Sequence, residues 1–256
     1  MSDSATMLRR SLTRIRRYPS MTVMLVGIPV IFLLLFVYVF GGAMGSGIGG
    51  PSGGRGGYAN YVVPGIILIT VASTSQGTAI SVAMDMTEGI INRFRTMAIS
   101  RASVLTGHVL GSMLQTMFSV VVVVGIALLI GFRPTASPVE WIAATGLLTL
   151  FTLGLTWLTV ALGLMSRSVE TASNTPMILV LLPFLGSGFV PTDSMPAALR
   201  AFAEYQPFTP VMETLRGLLL GSPIGNNAVI AQAWCVVITV GGYLLAKKMF
   251  NREPRT

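Results

Sequence analysis

The side chains able to do covalent or acid–base chemistry are few in this 256-residue chain: one histidine (His108), one cysteine (Cys235), two lysines (Lys247, Lys248) and nine carboxylates. A lone histidine cannot assemble a multi-histidine zinc site, and with Cys235 inside an apolar run no intrachain disulfide or thiol relay is available. No catalytic residue and no metal site is therefore assigned. No G-x-x-x-x-G-K-[ST] phosphate loop occurs, so ATP is not bound and hydrolysed in that manner. Ion-coupled carriers keep carboxylates near the bilayer middle. Here Asp85, Glu88 and Glu170 fall at or near span ends, and Asp193, Glu204 and Glu213 fall in one segment after residue 190. The pattern disfavours transport driven by an ion gradient and favours energy supplied by another subunit.

The elements that position these residues are membrane helices. Hydrophobic residues make up 52% of the chain and charged residues only 10%, against about 25% charged in ordinary soluble domains. The net charge of +8 sits between apolar runs and forms no continuous basic face, so nucleic acid is not an expected partner. Six apolar runs approach the roughly 20 residues that a helix needs to cross a bilayer: 21–40, 61–84, 107–130, 141–165, 171–190 and 229–245. VIFLLLFVYVF is apolar on every face, which excludes the alternating pattern of a transmembrane β-barrel. Counting Lys and Arg by loop, with the N-terminus inside, puts thirteen on the cytoplasmic side and four (Arg55, Arg133, Arg200, Arg216) outside. Both termini, including a cytoplasmic tail at 251–256, are expected inside a cell membrane. The first run is longer than the core of a signal peptide and no A-x-A-like site follows it, so it is read as a retained span.

Between these runs lie three informative segments. Over residues 1–20, Leu8, Leu12 and Ile15 recur at helical spacing opposite arginines, which predicts an amphipathic helix at the lipid headgroups, with a disordered basic tail as the alternative. The stretch GGAMGSGIGGPSGGRGGYAN reads as a flexible external loop. Residues 85–106 form the most polar internal stretch; Asp85 and Glu88 have capping-box spacing, and Ile90, Ile91, Phe94 and Met97 make an apolar stripe beside Arg93 and Arg95. That stripe requires a cover, either this protein's own spans or a cytoplasmic subunit. Residues 191–225 are too apolar for a plain loop and too short to span twice, so 194–205 and 209–220 are read as two external re-entrant or interfacial helices, separated by Gln206-Pro207 and Thr209-Pro210. In the second span, Ser73, Thr74, Ser75, Gln76, Thr78 and Ser81 form a polar cluster. With Asn174 in the fifth span, Ser73, Ser75 and Gln76 are candidates for lining a passage, helix–helix hydrogen bonding being the alternative.

At these residues the chain resembles the type-2 ABC transporter permeases, and especially the daunorubicin/doxorubicin-resistance type of exporter. The more specific part is GSGFVPTDSMPAALRAFAEYQPFTPVMETLRGLLLG, where Ser187, Gly188, Pro191, Met195, Pro196, Pro207, Thr209, Glu213 and Arg216 fall at the family's recurrent positions. The other is Glu88-Gly89 with Arg93, Phe94, Arg95, Met97, Ser100 and Arg101, similar to the family's cytoplasmic coupling segment, although Ala98 stands where that family often has proline. The resemblance implies an all-α fold with a six-span permease domain over 21–250, an N-terminal interfacial helix and two external half-helices. It also implies a second permease chain, identical or homologous, and two ATPase subunits that bind ATP and Mg. The expected activity is export of a hydrophobic drug-like molecule or lipid. Export of a lipid-linked glycan and, in a different class, a non-transporting membrane scaffold for a partner protein are the alternatives.

Overall fold

The computed structural model describes residues 19–48, 54–87, 101–166 and 168–251. Residues 1–18, expected as an interfacial helix, and Glu88, Gly89, Arg93, Phe94, Arg95, Met97 and Ser100, expected in the coupling segment, lie outside the described residues, as does the side chain of Arg101. Among the described residues all regular structure is helical. This follows from an apolar solvent: every backbone N–H and C=O must be paired within its own segment, which a helix does.

The first run forms α1 (Pro19–Leu34), a π-helical stretch (Leu35–Phe40) and α2 (Gly41–Ile48) without interruption. Pro19 opens it, a position where the missing N–H costs nothing. The glycine-rich stretch expected as a loop is helical through Ile48 and again from Arg55. Glycine weakens a helix by about 1 kcal/mol relative to alanine, but unpaired peptide groups cost more in an apolar medium, and the helix persists. Gly54 N–H donates to Gly45 O at 3.2 Å, joining the two helix ends.

Next come α3 (Arg55–Thr87), α4 (Arg101–Ile130) and α5 (Pro138–Met165). Asp85 does not start a helix as its spacing suggested; it lies in the last turns of α3, where the helix continues because Val82 and Met86 pack against Leu105 and Val109 of α4 and Val160 and Ala161 of α5. A capping box does start α5: Ser137 N–H donates to Glu140 Oε2 at 2.6 Å while Ser137 Oγ accepts from Glu140 N–H.

The fifth apolar run is a broken helix: α6 (Val169–Asn174), α7 (Met177–Leu181) and a 3-10 turn (Leu182–Leu185). Pro176 and Pro183 account for the breaks, since each lacks an N–H. A short 3-10 turn (Thr192–Ser194) leads to two short helices, α8 (Ala197–Tyr205) and α9 (Phe208–Leu220), close to the bounds expected for helices at 194–205 and 209–220. Pro207 separates them, whereas Pro210 does not break the chain: it sits in the first turn of α9, where N–H groups have no intrahelical acceptor. The long helix α10 (Asn227–Phe250) closes the fold.

Five helices are thus long and apolar enough to cross a membrane: Val23–Gly45, Arg55–Thr87, Leu105–Ile130, Pro138–Met165 and Asn227–Phe250. Helix α3 is the hub, buried along nearly its whole apolar length, while the first helix and α10 leave most of theirs open. Glycines set the closest approaches. A Cβ on Gly163 would lie 2.7 Å from Ala79 O, and one on Gly242 2.7 Å from Leu158 N. Helices α5 and α10 run in the same direction, because Gly154 faces Cys235 and Thr239 while Leu158 faces Gly242. The intervening chain must therefore return along the bundle. It does so beside α3, in the opposite sense: Gln76 meets Ser173, Gly65 meets Gly188, and Tyr58 meets Phe189. Eighteen residues of α3 separate Tyr58 from Gln76, which at about 1.5 Å per residue is about 27 Å.

Candidate functional site

The recurrent residues after the fifth run converge on one buried arginine. Helix α9 presents Glu213 and Arg216 one turn apart, and Arg216 Nη1 pairs with Glu213 Oε1. Its Nη2 donates to Ser187 O at 2.8 Å and to Tyr61 O at 3.2 Å, and its guanidinium carbon lies 4.0 Å from the centre of the Tyr61 ring. The Arg216 side chain is only 10% exposed, and Nε has no hydrogen-bond partner among the described groups. One side chain therefore ties three elements together: α9, the turn after the broken helix, and the start of α3. The planar fork of arginine suits this; the compact ammonium of lysine does not.

The turn itself, Gly186-Ser187-Gly188, is built by close approach. A Cβ on Gly186 would lie 2.5 Å from Gln206 Nε2 and 2.6 Å from Thr209 Oγ1. One on Gly188 would lie 3.0 Å from both Pro183 O and Met212 Sδ, and one on Gly65 3.0 Å from Gly188 Cα. Gln206, buried between α8 and α9, donates from Nε2 to Leu182 O and to Thr209 Oγ1, both at 3.1 Å, and its Oε1 accepts from Phe208 N–H at 3.3 Å. Tyr58 OH donates to Phe189 O at 3.4 Å. Phe189 stacks on Phe36 of the π-helical stretch at 4.3 Å and on Phe184 at 4.8 Å. Such aromatic pairs contribute about 0.5–1.5 kcal/mol each beyond their buried area.

Of the expected residues, Ser187, Gly188, Thr209, Glu213 and Arg216 are brought together here. Pro191, Met195 and Pro196 line the run into α8 on the more exposed side, and Pro207 opens α9. Arg200 of α8 bridges Asp193 at 2.6 Å and Glu204 at 2.7 Å; the hydrogen bond to Glu204 and the two carboxylates hold its guanidinium above the ordinary arginine value. Sequence reasoning missed Tyr58, Tyr61, Gly65 and Gln206. Tyr58, Tyr61 and Gly65 lie more than 120 positions before their partners Phe189, Arg216 and Gly188, and a lone tyrosine or glycine in an apolar run carries no local signal.

The polar cluster of α3 faces several ways. Thr116 Oγ1 donates to Thr74 Oγ1 at 2.9 Å, and the hydroxyls of Thr78 and Ser112 pair, so this edge is a hydrogen-bonded seam with α4. Ser73 is buried, and the Ser75 hydroxyl is buried without a partner among the described residues, as are those of Thr152 and Thr156 on α5. Gln76 Nε2 donates to Ser173 O at 2.6 Å, taking a carbonyl beside the break at Thr175 and Pro176. Asn174 is exposed at that break. Arg101 begins α4. Among the described residues no group of three His, Cys, Asp or Glu side chains comes together to hold a metal.

A family model described as ABC-2 type transporter matches residues 4–220. The chain is 29% identical over 224 residues to the daunorubicin resistance ABC transporter permease protein DrrB1 of Streptomyces coeruleorubidus, an alignment covering 87% of this chain and 76% of that one. It is 21% identical over 183 residues to the probable doxorubicin resistance ABC transporter permease protein DrrC of Mycobacterium tuberculosis (strain ATCC 25618 / H37Rv), covering 70% and 66% of the two chains.

Proposed function

The chain belongs to the ABC-2 type transporter family, and from that premise we propose that it is the permease subunit of an exporter that moves a hydrophobic drug-like molecule or lipid out of the cell, driven by ATP hydrolysis on a separate subunit. The family makes it a multi-pass membrane protein with an ATPase partner. Two ATPase copies, holding the ATP and Mg, act on two permease chains, identical or homologous. The names of its relatives, which are drug-resistance permeases, support a drug-like substrate.

The broken stretch 169–190 is read as the fifth of six crossings, which keeps both termini cytoplasmic. The parallel run of α5 and α10 and the 27 Å of contact along α3 support this, at about 1.5 Å rise per residue. Residues 1–20 lie at the inner headgroups, 85–106 couple to the ATPase through Glu88, Gly89, Arg93, Phe94, Arg95, Met97, Ser100 and Arg101, and 191–225 carry the external half-helices. The Arg216 tie carries this reading. It joins a half-helix, the end of a broken crossing and the hub helix at one point, and that point is the external gate. ATPase closure pushes on residues 88–101, the spans shift as rigid bodies, and a path opens where Ser73, Ser75, Gln76 and Asn174 are candidate lining.

Coexpression with the ATPase tests the coupling assignment. An Arg93→Ala/Phe94→Ala chain is expected to lose ATPase copurification and ATP-dependent drug extrusion; undiminished complex formation and transport would reject it.

A further inference from the structure

We propose that Asp85 and His108 form the positioning clamp that keeps α3 and α4 acting as one lever during transport. His108 Nε2 lies 3.1 Å from Asp85 Oδ2; the carboxylate side chain is 1% exposed and the imidazole 11%. A carboxylate so deeply buried is retained only at a penalty that its partners must offset, and no catalytic or ion-carrying role uses it. Its place explains its use. Asp85 sits two residues before the end of α3 and His108 seven residues into α4, so the pair bridges the two helices at the mouth of residues 88–100.

The same seam continues inward as Thr78 with Ser112 and Thr74 with Thr116, a ladder of polar contacts in register. Hydroxyl pairs between membrane helices are individually weak. The Asp85–His108 contact brings a carboxylate to within 3.1 Å of an imidazole nitrogen, and it stands at the end where force enters. A push on the connecting segment bears first on this end, where apolar packing of Val82 and Met86 against Leu105 and Val109 supplies no directional tie. Clamped at their ends, the two helices transmit it to the rest of α3, whose other end carries Tyr58 and Tyr61 at the Arg216 tie.

This inference rests on the reading of residues 88–101 as the coupling segment, and the experiment separates the two. In the purified permease–ATPase complex, a Ser187→Cys reporter in the buried turn is labelled with a maleimide in the presence and absence of ATP and Mg, alongside the rate of ATP hydrolysis. In the reporter-only parent, ATP is expected to change labelling at least tenfold. Asp85→Asn and His108→Gln chains are expected to assemble and hydrolyse ATP within twofold of that parent while losing most of the ATP-driven change. The exchange Asp85→His/His108→Asp is expected to recover it to within threefold of the parent. Single variants that keep the full response would overturn the clamp. So would single variants that fail to assemble and are not recovered by the exchange, since the pair would then be structural alone. A parent complex that hydrolyses ATP without any labelling change would overturn the coupling and gate reading itself.

Discussion

Removing the guanidinium of Arg216 should release the turn at Ser187. In an Arg216→Met chain two hydrogen bonds to carbonyl oxygens and the contact with the Tyr61 ring disappear together. A hydrogen bond to a charged group contributes about 1.5–3 kcal/mol, and a partly desolvated cation–π contact about 0.5–2 kcal/mol. The Glu213 pair adds little, because that carboxylate is 28% exposed and solvated pairs contribute about 0–1 kcal/mol. The Tyr61 carbonyl lies within α3 and keeps a helical donor, so its loss counts at the low end. Even the low ends sum to about 3.5 kcal/mol, which at 1.4 kcal/mol per tenfold is more than a hundredfold shift toward the released turn. Cysteine accessibility reads this directly. Ser187 is buried, so a Ser187→Cys thiol reacts with a maleimide in proportion to the released population when opening and closing outpace labelling. Cys235, buried in the parent, supplies the blank. Labelling should accelerate more than a hundredfold in Arg216→Met and roughly tenfold in Arg216→Lys, which keeps a charge beside Glu213 but cannot fork to both carbonyls. Rates within threefold of the parent for Arg216→Met would refute the tie.

Gly186→Ala and Gly188→Ala should each lower the thermal unfolding temperature of the detergent-solubilised protein, since the added methyl meets Gln206 and Thr209 or Pro183 and Met212 at 3.0 Å or less; overpacking of this kind costs about 1–3 kcal/mol. Gly125→Ala and Gly146→Ala, where nothing lies within 4 Å, should leave it unchanged or raised in the same assay. Gln76→Leu strips the Ser173 carbonyl of its donor and should destabilise by about 1–3 kcal/mol, seen as faster proteolysis between α6 and α7. Gly163→Val should impair folded yield more than Gly241→Val, because the first is wedged against Ala79 and Val82 while the second faces open space.

The crossing helices were legible because their apolar runs need no periodicity argument: a segment such as VIFLLLFVYVF is apolar on every side, and only lipid suits it. The two short helices α8 and α9 were legible from length and composition, with Pro207 marking the boundary. The helix through Gly41–Ile48 was not, because glycine's loop preference is an aqueous rule, and its weight falls where an unpaired peptide has no water to bind. The break at Pro176 was visible as a residue but not as a break, since one proline kinks some membrane helices and ends others. In the site, Glu213 and Arg216 share a helix face and could be paired by spacing. Their joint partner, the Tyr61 backbone, could not, and neither could the bridge from Asp85 to His108, whose meeting depends on how α3 and α4 pack side by side.

The enclosure of α3 carries a mechanical consequence. A rod wrapped by neighbours on every side has no free flank to swing toward, so any tilt must drag its whole jacket, and displacement along its own axis or a twist about it is the cheaper coordinate. The peripheral first helix and α10, left open by the rest of the chain over most of their surface, are free to change one greasy side chain for another with little penalty to the packing within this chain. Substitution can thus accumulate at the rim while the spindle at the centre stays fixed.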